Sequence, residues 1–298
     1  MSTPPRILVT GATGRLGQLL VPRLLARGAT VRALTRDAAR AGGLRAQGAE
    51  TAVGDFDDPD ALRRALQGVS HLFLLSPITP TLAQQQIAVI DAAAAAGVPR
   101  IVKLSGSHWT IVPPGRSLSG DAHGEIEAAL ARSGIAHRVL RPNAWLQVML
   151  ARVAADLAAG DVLHAPPGDT RVAFIDARDI ADVAVEALFE QPAAPGASTA
   201  PWVLTGGEAV GYGDIARIAA RLTGRDIVAT PLSAQALRER QAANAPSPFI
   251  ARVHAQFAEL IAAGEAQPVT GTVAEVLRRA PRTVEAFLAE VLARHADA

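Results

Sequence analysis

Cysteine is missing from all 298 residues. That absence removes disulfides, thiolate nucleophiles and Cys-ligated zinc or iron–sulfur sites, and it permits a reducing compartment. Lysine occurs once, at Lys103, and tyrosine once, at Tyr212. An excess of either charge is lacking too: the formal net charge is +1, from dispersed Arg, Asp and Glu without a basic stripe. Neither nucleic acid nor a membrane surface is therefore expected as a partner. No uncharged apolar run approaches the length of about 20 residues that crosses a bilayer. The Ala-rich stretch from Ile87 to Val98 carries Asp91 and halts at Gly97 and Pro99, which predicts a buried helix. Met1 to Arg6 hold prolines but no charged segment leading into an apolar core, so a cytoplasmic protein is expected. The seven histidines lack zinc-ligand spacing, and neither a Gly-x-Ser-x-Gly elbow nor a Walker lysine occurs, so no metal is expected.

With 49% apolar residues the chain can bury a large core. What it holds is alternation. Strand-like runs fall at Arg6 to Thr10, Thr30 to Thr35, Glu50 to Val53, His71 to Leu75, Arg100 to Leu104 and His137 to Leu140. Helical patterns lie between them at Leu16 to Ala26, Asp37 to Ala46, Pro59 to Leu66, Leu82 to Ala96 and Gly120 to Arg132. This predicts an α/β fold, a Rossmann-like doubly wound parallel sheet covered on both faces, because right-handed crossovers put the helices there. Past Asn143 the sequence becomes helix-rich, with short strands at Val172 to Ile175, Trp202 to Leu204 and Ile227 to Ala229. Amphipathic helices follow at Phe249 to Ala262 and Val284 to Ala293. Residues 1–143 are expected to form the Rossmann domain, and 144–298 a smaller substrate region with some segments returning to the sheet. Gln191 to Pro201 reads as an exposed connector.

The chemistry starts in IleLeuValThrGlyAlaThrGlyArgLeuGly, residues 7–17. Gly11 ends a strand, Gly14 lets backbone approach a pyrophosphate, and Gly17 lets the next helix pack closely. Amides in this bend, which also contains Thr13, Arg15 and Leu16, meet the helix dipole and make an anion site. The spacing departs from the commoner Gly-x-Gly-x-x-Gly, but its place between strand and helix favours a dinucleotide. The second strand, ValArgAlaLeuThrArg, ends in Arg36 where NAD-selecting chains place a carboxylate. A guanidinium suits a 2′-phosphate, with Arg15 assisting, so NADP(H) is expected ahead of NAD(H). The competing reading leaves Arg36 solvated and lets Asp37 cap a helix. Asp55, after the third strand, is expected either to take an adenine amino group or to cap a helix. Ser76 and Pro77 follow the fourth strand and would border the nicotinamide ribose. Lys103, inside the fifth strand, would reach toward the cofactor or pair with a carboxylate.

GlyAlaThrGlyArgLeuGly at 11–17, ValArgAlaLeuThrArg at 31–36, LeuLeuSerPro at 74–77 and SerGlyIle at 133–135 carry a resemblance that the rest of the chain extends. With LeuArgProAsn at 140–143, IleAspAlaArgAspIleAlaAspValAla at 175–184 and ArgArgAlaProArgThrValGluAlaPheLeu at 278–288, the chain resembles the NmrA-like branch of the atypical short-chain dehydrogenase/reductases. The resemblance covers nearly the whole sequence. It implies an NAD(P)H-dependent reductase of quinones, azo dyes or triphenylmethane dyes, or alternatively a regulator that senses NADP(H) without turnover.

Orthodox members of the wider superfamily use a serine after the fifth strand and a Tyr-x-x-x-Lys pair on the next helix. Ser105 and Ser107 supply the serine here, whereas Ser119 and His123 stand where the tyrosine and lysine are expected. Ser119, His123 and Glu127 are spaced by four and share a helical stripe. His123 is the candidate proton donor or ribose ligand, oriented by Glu127, against the plainer reading of a solvated helix face. Lacking the tyrosine, the site suits a planar, apolar, electron-poor acceptor: a quinone, azo compound, conjugated carbonyl or imine. Ser107, His108, Trp109, Asn143, Trp145 and Met149 are candidates to contact that small molecule. Asp176, Asp179 and Asp182, with Arg178, are expected to serve as caps and ion pairs rather than metal ligands. A homodimer is left open.

Overall fold

A computed structural model of the chain describes residues 4–190, 200–243 and 245–296. The connector expected at Gln191 to Pro201 lies almost wholly outside the described residues. The chain forms two compact units, the first from 1–106, 119–141 and 180–202, the second from 107–118, 142–179 and 203–298.

Through residue 142 the strands are β1 (Arg6–Val9), β2 (Thr30–Thr35), β3 (Glu50–Val53), β4 (His71–Leu74), β5 (Arg100–Leu104) and β6 (Ala136–Pro142). The helices between them are α1 (Arg15–Ala26), α2 (Ala41–Ala46), α3 (Pro59–Leu66), α4 (Leu82–Ala95), α5 (His108–Ile111) and α6 (Leu118–Arg132). There follow α7 (Leu146–Met149), α8 (Ala151–Ala159), β7 (Val162–Ala165), β8 (Arg171–Val172), α9 (Ala177–Phe189) and β9 (Trp202–Leu204). The chain ends with β10 (Val210–Gly211), α10 (Tyr212–Thr223), β11 (Val228–Pro231), α11 (Ala234–Ala243), α12 (Pro248–Ala262), α13 (Thr272–Leu277) and α14 (Val284–Ala296). The main sheet has seven strands in the order β3-β2-β1-β4-β5-β6-β9. Each neighbouring pair from β3 to β6 is parallel.

Continuous apolar runs mark strands covered on both faces, and Ile7 to Val9 and Leu72 to Leu74 are wholly buried at the sheet's centre. Helix α1 buries Leu16, Leu20, Val21 and Leu24 along one stripe. Helix α3 starts where its sequence says it should: Asp58 accepts from the amides of Asp60 and Ala61, with Pro59 in the first turn. Helix α4 buries Leu82, Gln86, Val89, Ile90 and Ala93 but exposes Asp91, so the Ala-rich segment is a covering helix rather than a buried one.

Three expectations on element bounds need correction. The helix expected from Asp37 begins at Ala41, because the Asp37 carboxylate accepts the Ala39 amide at 2.8 Å and closes a turn instead. The strand expected over Val172 to Ile175 stops at Val172, leaving Ile175 a single bridge to Trp145. The strand near Ile227 runs from Val228 to Pro231 and pairs in parallel with β7, a partner the pattern did not reveal. In the second unit, Leu146, Leu150, Phe174, Ile215 and Leu288 belong to one core. The Asp179 carboxylate, fully buried, binds Arg279 at 2.7 Å, the Arg282 amide at 2.7 Å and the Arg282 guanidinium. Asp176 pairs with Arg178 at 2.6 Å, and in the first unit Asp182 pairs with Arg23 at 2.7 Å. Ion pairs thus account for the aspartate cluster.

Candidate functional site

In the first unit the strand order reverses at β1 and β4, which opens a crevice at their carboxyl ends. Thr10 pins the two lips: its Oγ1 donates to the Leu75 carbonyl at 2.7 Å and accepts the Leu75 amide at 2.8 Å. Gly11 has φ +62°, and a Cβ there would lie 3.1 Å from the Leu75 carbonyl oxygen, so both conformation and space demand glycine. Gly14 N-caps α1 in extended backbone, with no side-chain cap and no acidic residue in the first turn. Helix geometry leaves the Leu16 and Gly17 amides without intrahelical acceptors. Leu16 buries its side chain, whereas Thr13 is half-buried and Gly14 and Arg15 are exposed. An anion at this point satisfies both the amides and the dipole.

A Cβ at Gly17 would collide with the carbonyl oxygens of Gly11 and Ala12, backbone that cannot swing aside. Gly17→Ala is accordingly expected to destabilise the protein by about 2 kcal/mol, in the range of overpacked cores. A urea denaturation midpoint equal to the parent's counts against this tight turn.

Arg36 stands at the end of β2 with its side chain 75% exposed, 3.9 Å from the Asp55 carboxylate. Asp55 accepts its neighbour Phe56's amide at 2.6 Å and does not cap α3, a task that falls to Asp58. Asp37 does not cap α2 either; Arg40 holds that N-cap position without a side-chain hydrogen bond. Ser76 accepts from the buried Gln86 side chain at 2.9 Å, and Pro77 is exposed beside it.

Around β5 and α6 lies a buried polar network. Lys103 is fully buried; its Nζ sits 3.1 Å from His123 Nδ1 and donates to the Leu104 carbonyl at 3.3 Å. Burial pulls the Lys103 pKa down to about 7, Glu127 opposes that shift and Arg141 adds to it. Burial first, then the charges of Lys103 and Arg141, push His123 well below the ordinary histidine range. His123 is therefore a neutral ring, which corrects its reading as a proton donor titrating near neutrality. Glu127 does not orient it either: its carboxylate accepts Ser105 Oγ at 2.5 Å and pairs with Arg141 at 2.5 Å. Two buried oxygens, Ser119 Oγ and Gln86 Oε1, have no hydrogen-bond partner among the described residues. Such groups are what a ligand or an ordered water completes. An uncapped helix end, a loose guanidinium and these open oxygens fit a phosphorylated pyridine dinucleotide.

The second unit holds a cavity of about 320 Å³ with mainly apolar walls, including Met149, Phe174 and Phe257, and polar groups from Arg152, Tyr212 and His254. Of the expected substrate residues only Met149 lines it. Asn143 is a structural hub: its Oδ1 accepts Trp109 Nε1 at 2.6 Å and its Nδ2 donates to the Ala266 carbonyl at 2.9 Å. Trp109 packs edge-on against Phe257 with centroids 5.6 Å apart. Ser107 donates to the Pro142 carbonyl at 2.8 Å, His108 is exposed at the start of α5, and Trp145 is half-buried beside its bridge to Ile175. Arg152, Tyr212 and His254 were missed, and the single tyrosine was the one signal pointing to them. Among the described residues no group of His, Asp and Glu is placed to hold a metal, and no helix is long and apolar enough to cross a membrane.

Comparison with known proteins agrees with this geometry. The sequence matches the NmrA-like family over residues 3–288. It is 35% identical to an NAD(P)H azoreductase of Xenophilus azovorans over 221 residues, 74% of this chain and 75% of that one. It is 34% identical over 292 residues, 98% of both chains, to a (4-alkanoyl-5-oxo-2,5-dihydrofuran-3-yl)methyl phosphate reductase of Streptomyces griseus. Among solved structures, an NADPH-dependent quinone oxidoreductase of Escherichia coli complexed with NADPH superposes with a TM-score of 0.82 at 28% identity, covering 97% of this chain and 99% of that one.

Proposed function

Because the chain belongs to the NmrA-like family, we propose that it is an NADPH-dependent reductase passing hydride to a planar, apolar, electron-poor acceptor. The observation that carries this is the first unit's pairing of an uncapped α1 N-terminus with Arg36 at the neighbouring strand end. The α1 amides would hold the pyrophosphate, Arg36 the 2′-phosphate, and Asp55 the adenine amino group. The dinucleotide, when bound, supplies the hydride.

The remaining roles belong to this chain's own groups. Lys103 Nζ lies 3.1 Å from His123 Nδ1; with the lysine taken as the donor, the ring's Nε2–H is left as a donor, while Ser119 Oγ is open. Both are assigned to hold polar atoms of bound ligand in place. Ser105 is committed to Glu127 and acts by keeping that carboxylate fixed. Among the described residues, Ser119 and the neutral His123 present no strong acid, so hydride goes to an acceptor electron-poor enough to hold the resulting anion, which then takes its proton from solvent. The apolar cavity of the second unit suits a flat molecule of that kind. The azoreductase and quinone oxidoreductase relatives support that class, as does the conjugated lactone in the name of the phosphate reductase. A cysteine-free chain using NADPH fits the cytoplasm.

Oxidation of NADPH, followed at its nicotinamide absorbance with a panel of quinones, azo dyes and conjugated carbonyls, tests the proposal. Turnover with at least one class is expected, faster with NADPH than with NADH. Tight NADPH binding with no turnover on any acceptor would favour a redox sensor instead.

A further inference from the structure

We infer that the acceptor carries an oxyanion substituent and that Arg152 selects it. This rests on the reductase reading above and names the substrate class for the second unit's cavity. The cavity's charged groups are unevenly matched. Asp156 is buried, and burial opposes its ionisation. Even so, the His164 amide at 3.0 Å and the Arg240 guanidinium at 2.5 Å hold its carboxyl below the usual range. Its charge is already answered.

Arg152 is different. Half-buried in the cavity lining, its Nη1 donates to the Arg240 carbonyl at 3.1 Å, and no carboxylate lies within ion-pair distance of it among the described residues. The other carboxylate in the lining, Glu259, is exposed to solvent, and a second guanidinium, Arg238, lines the same cavity. Arg152 also lies close enough to Tyr212 and His254 for its charge to act on both: it adds to the lowering of His254 by burial, and it opposes the raising of Tyr212 by burial and Asp156. Neither the Tyr212 hydroxyl nor the His254 ring has a hydrogen-bond partner among the described residues. A guanidinium, a phenol and an imidazole thus offer unused hydrogen-bonding capacity in a mainly apolar cavity.

A cation facing apolar walls is unfavourable until something anionic meets it. The guanidinium fork matches a carboxylate, sulfonate or phosphate, with two parallel N–H donors for two oxygens. The flat, apolar remainder of the acceptor would lie against Met149, Phe174 and Phe257. Cationic acceptors are disfavoured by the same charge.

Calorimetric titration of the full chain with 1,4-naphthoquinone and 1,4-naphthoquinone-2-sulfonate tests this directly. The sulfonate is expected to bind at least about 10-fold more tightly, the scale of one charge-assisted contact. Arg152→Gln should shrink that binding ratio about 10-fold, and the ratio of kcat/KM values for the two quinones by a similar factor. Comparing ratios between parent and variant cancels the sulfonate's own effect on electron affinity. Should Arg152→Gln fail to fold, Arg152→Lys reads the same ratio and is expected to keep a weakened preference. Equal binding of the two quinones, or a preference undiminished in a folded Arg152 variant, overturns the inference. The reductase reading fails separately: both quinones may then bind with the expected ratio while neither is reduced.

Discussion

Arg36→Asp is expected to weaken NADPH binding by about 100–1,000-fold while NADH binding holds or improves. Two charge-assisted hydrogen bonds from a guanidinium to a phosphate are together worth about 3–4 kcal/mol, which is about two to three decades of affinity. The substitution removes them and sets a second carboxylate beside Asp55, which now sits 3.9 Å from Arg36. Two neighbouring carboxylates repel a 2′-phosphate, whereas a ribose 2′-hydroxyl can donate to either of them. Folding is not at stake, because the Arg36 side chain is 75% exposed and its one ion pair is long. Dissociation constants for both dinucleotides, measured by fluorescence titration of parent and variant, give the ratio that matters. Equal losses for NADPH and NADH would remove Arg36 from the 2′-phosphate site and leave α1 alone to explain binding.

The fold was legible where burial imposes a period on the sequence. Apolar runs such as Ile7 to Val9 cannot sit on a solvated face, so they announce central parallel strands, and the helical stripes between them follow. Legibility failed where pairing depends on partners distant in sequence. Strands β7 and β11 cover four residues each and meet across 62 intervening positions or more, from Val162 to Val228, with only Leu163 fully buried to mark them. At Asp37, local side-chain chemistry won over helical periodicity, since a carboxylate that closes a turn delays the helix by several residues.

The site divides in the same way. The geometry of the glycine loop and of Arg36 was readable because it is local: a positive φ at Gly11, no room at Gly17, a guanidinium at a strand end. The polar cluster of Arg152, Tyr212 and His254 was not readable, because it is assembled from α8, α10 and α12, and no spacing along the chain links them. Asn143 and Trp109 show the opposite case. An indole and an amide look like ligand contacts in sequence, yet here they satisfy each other. Glu127 is a related case, since its helical spacing from His123 was real while its charge was claimed by Arg141.

Lys103→Met is expected to abolish a rise in stability between pH 7 and pH 10 that the parent should show. In the folded chain the Lys103 pKa is about 7, against 10.5 for an ordinary lysine such as the unfolded chain presents. Between those values the unfolded chain holds a proton that the folded chain has released, so raising the pH favours folding by up to about 1.4 kcal/mol per unit. Below pH 7 both states are protonated, and the folded state carries the whole cost of a buried cation, on the order of several kcal/mol. The composition makes this window unusually clean. There is no cysteine and no second lysine, and the single tyrosine, raised by burial from 10.0, opposes the slope only near and above pH 10. Methionine fills the lysine's volume without its charge, but it leaves His123 Nδ1 unpaired at a cost of about 1–3 kcal/mol. That cost does not vary across the window, because His123 is neutral throughout it. The slope of unfolding free energy against pH, from urea titrations of parent and variant, therefore isolates the lysine: positive in the parent, flat in Lys103→Met. A flat parent would mean that Lys103 keeps its proton inside the sheet, with the Glu127 charge offsetting the cost of burial.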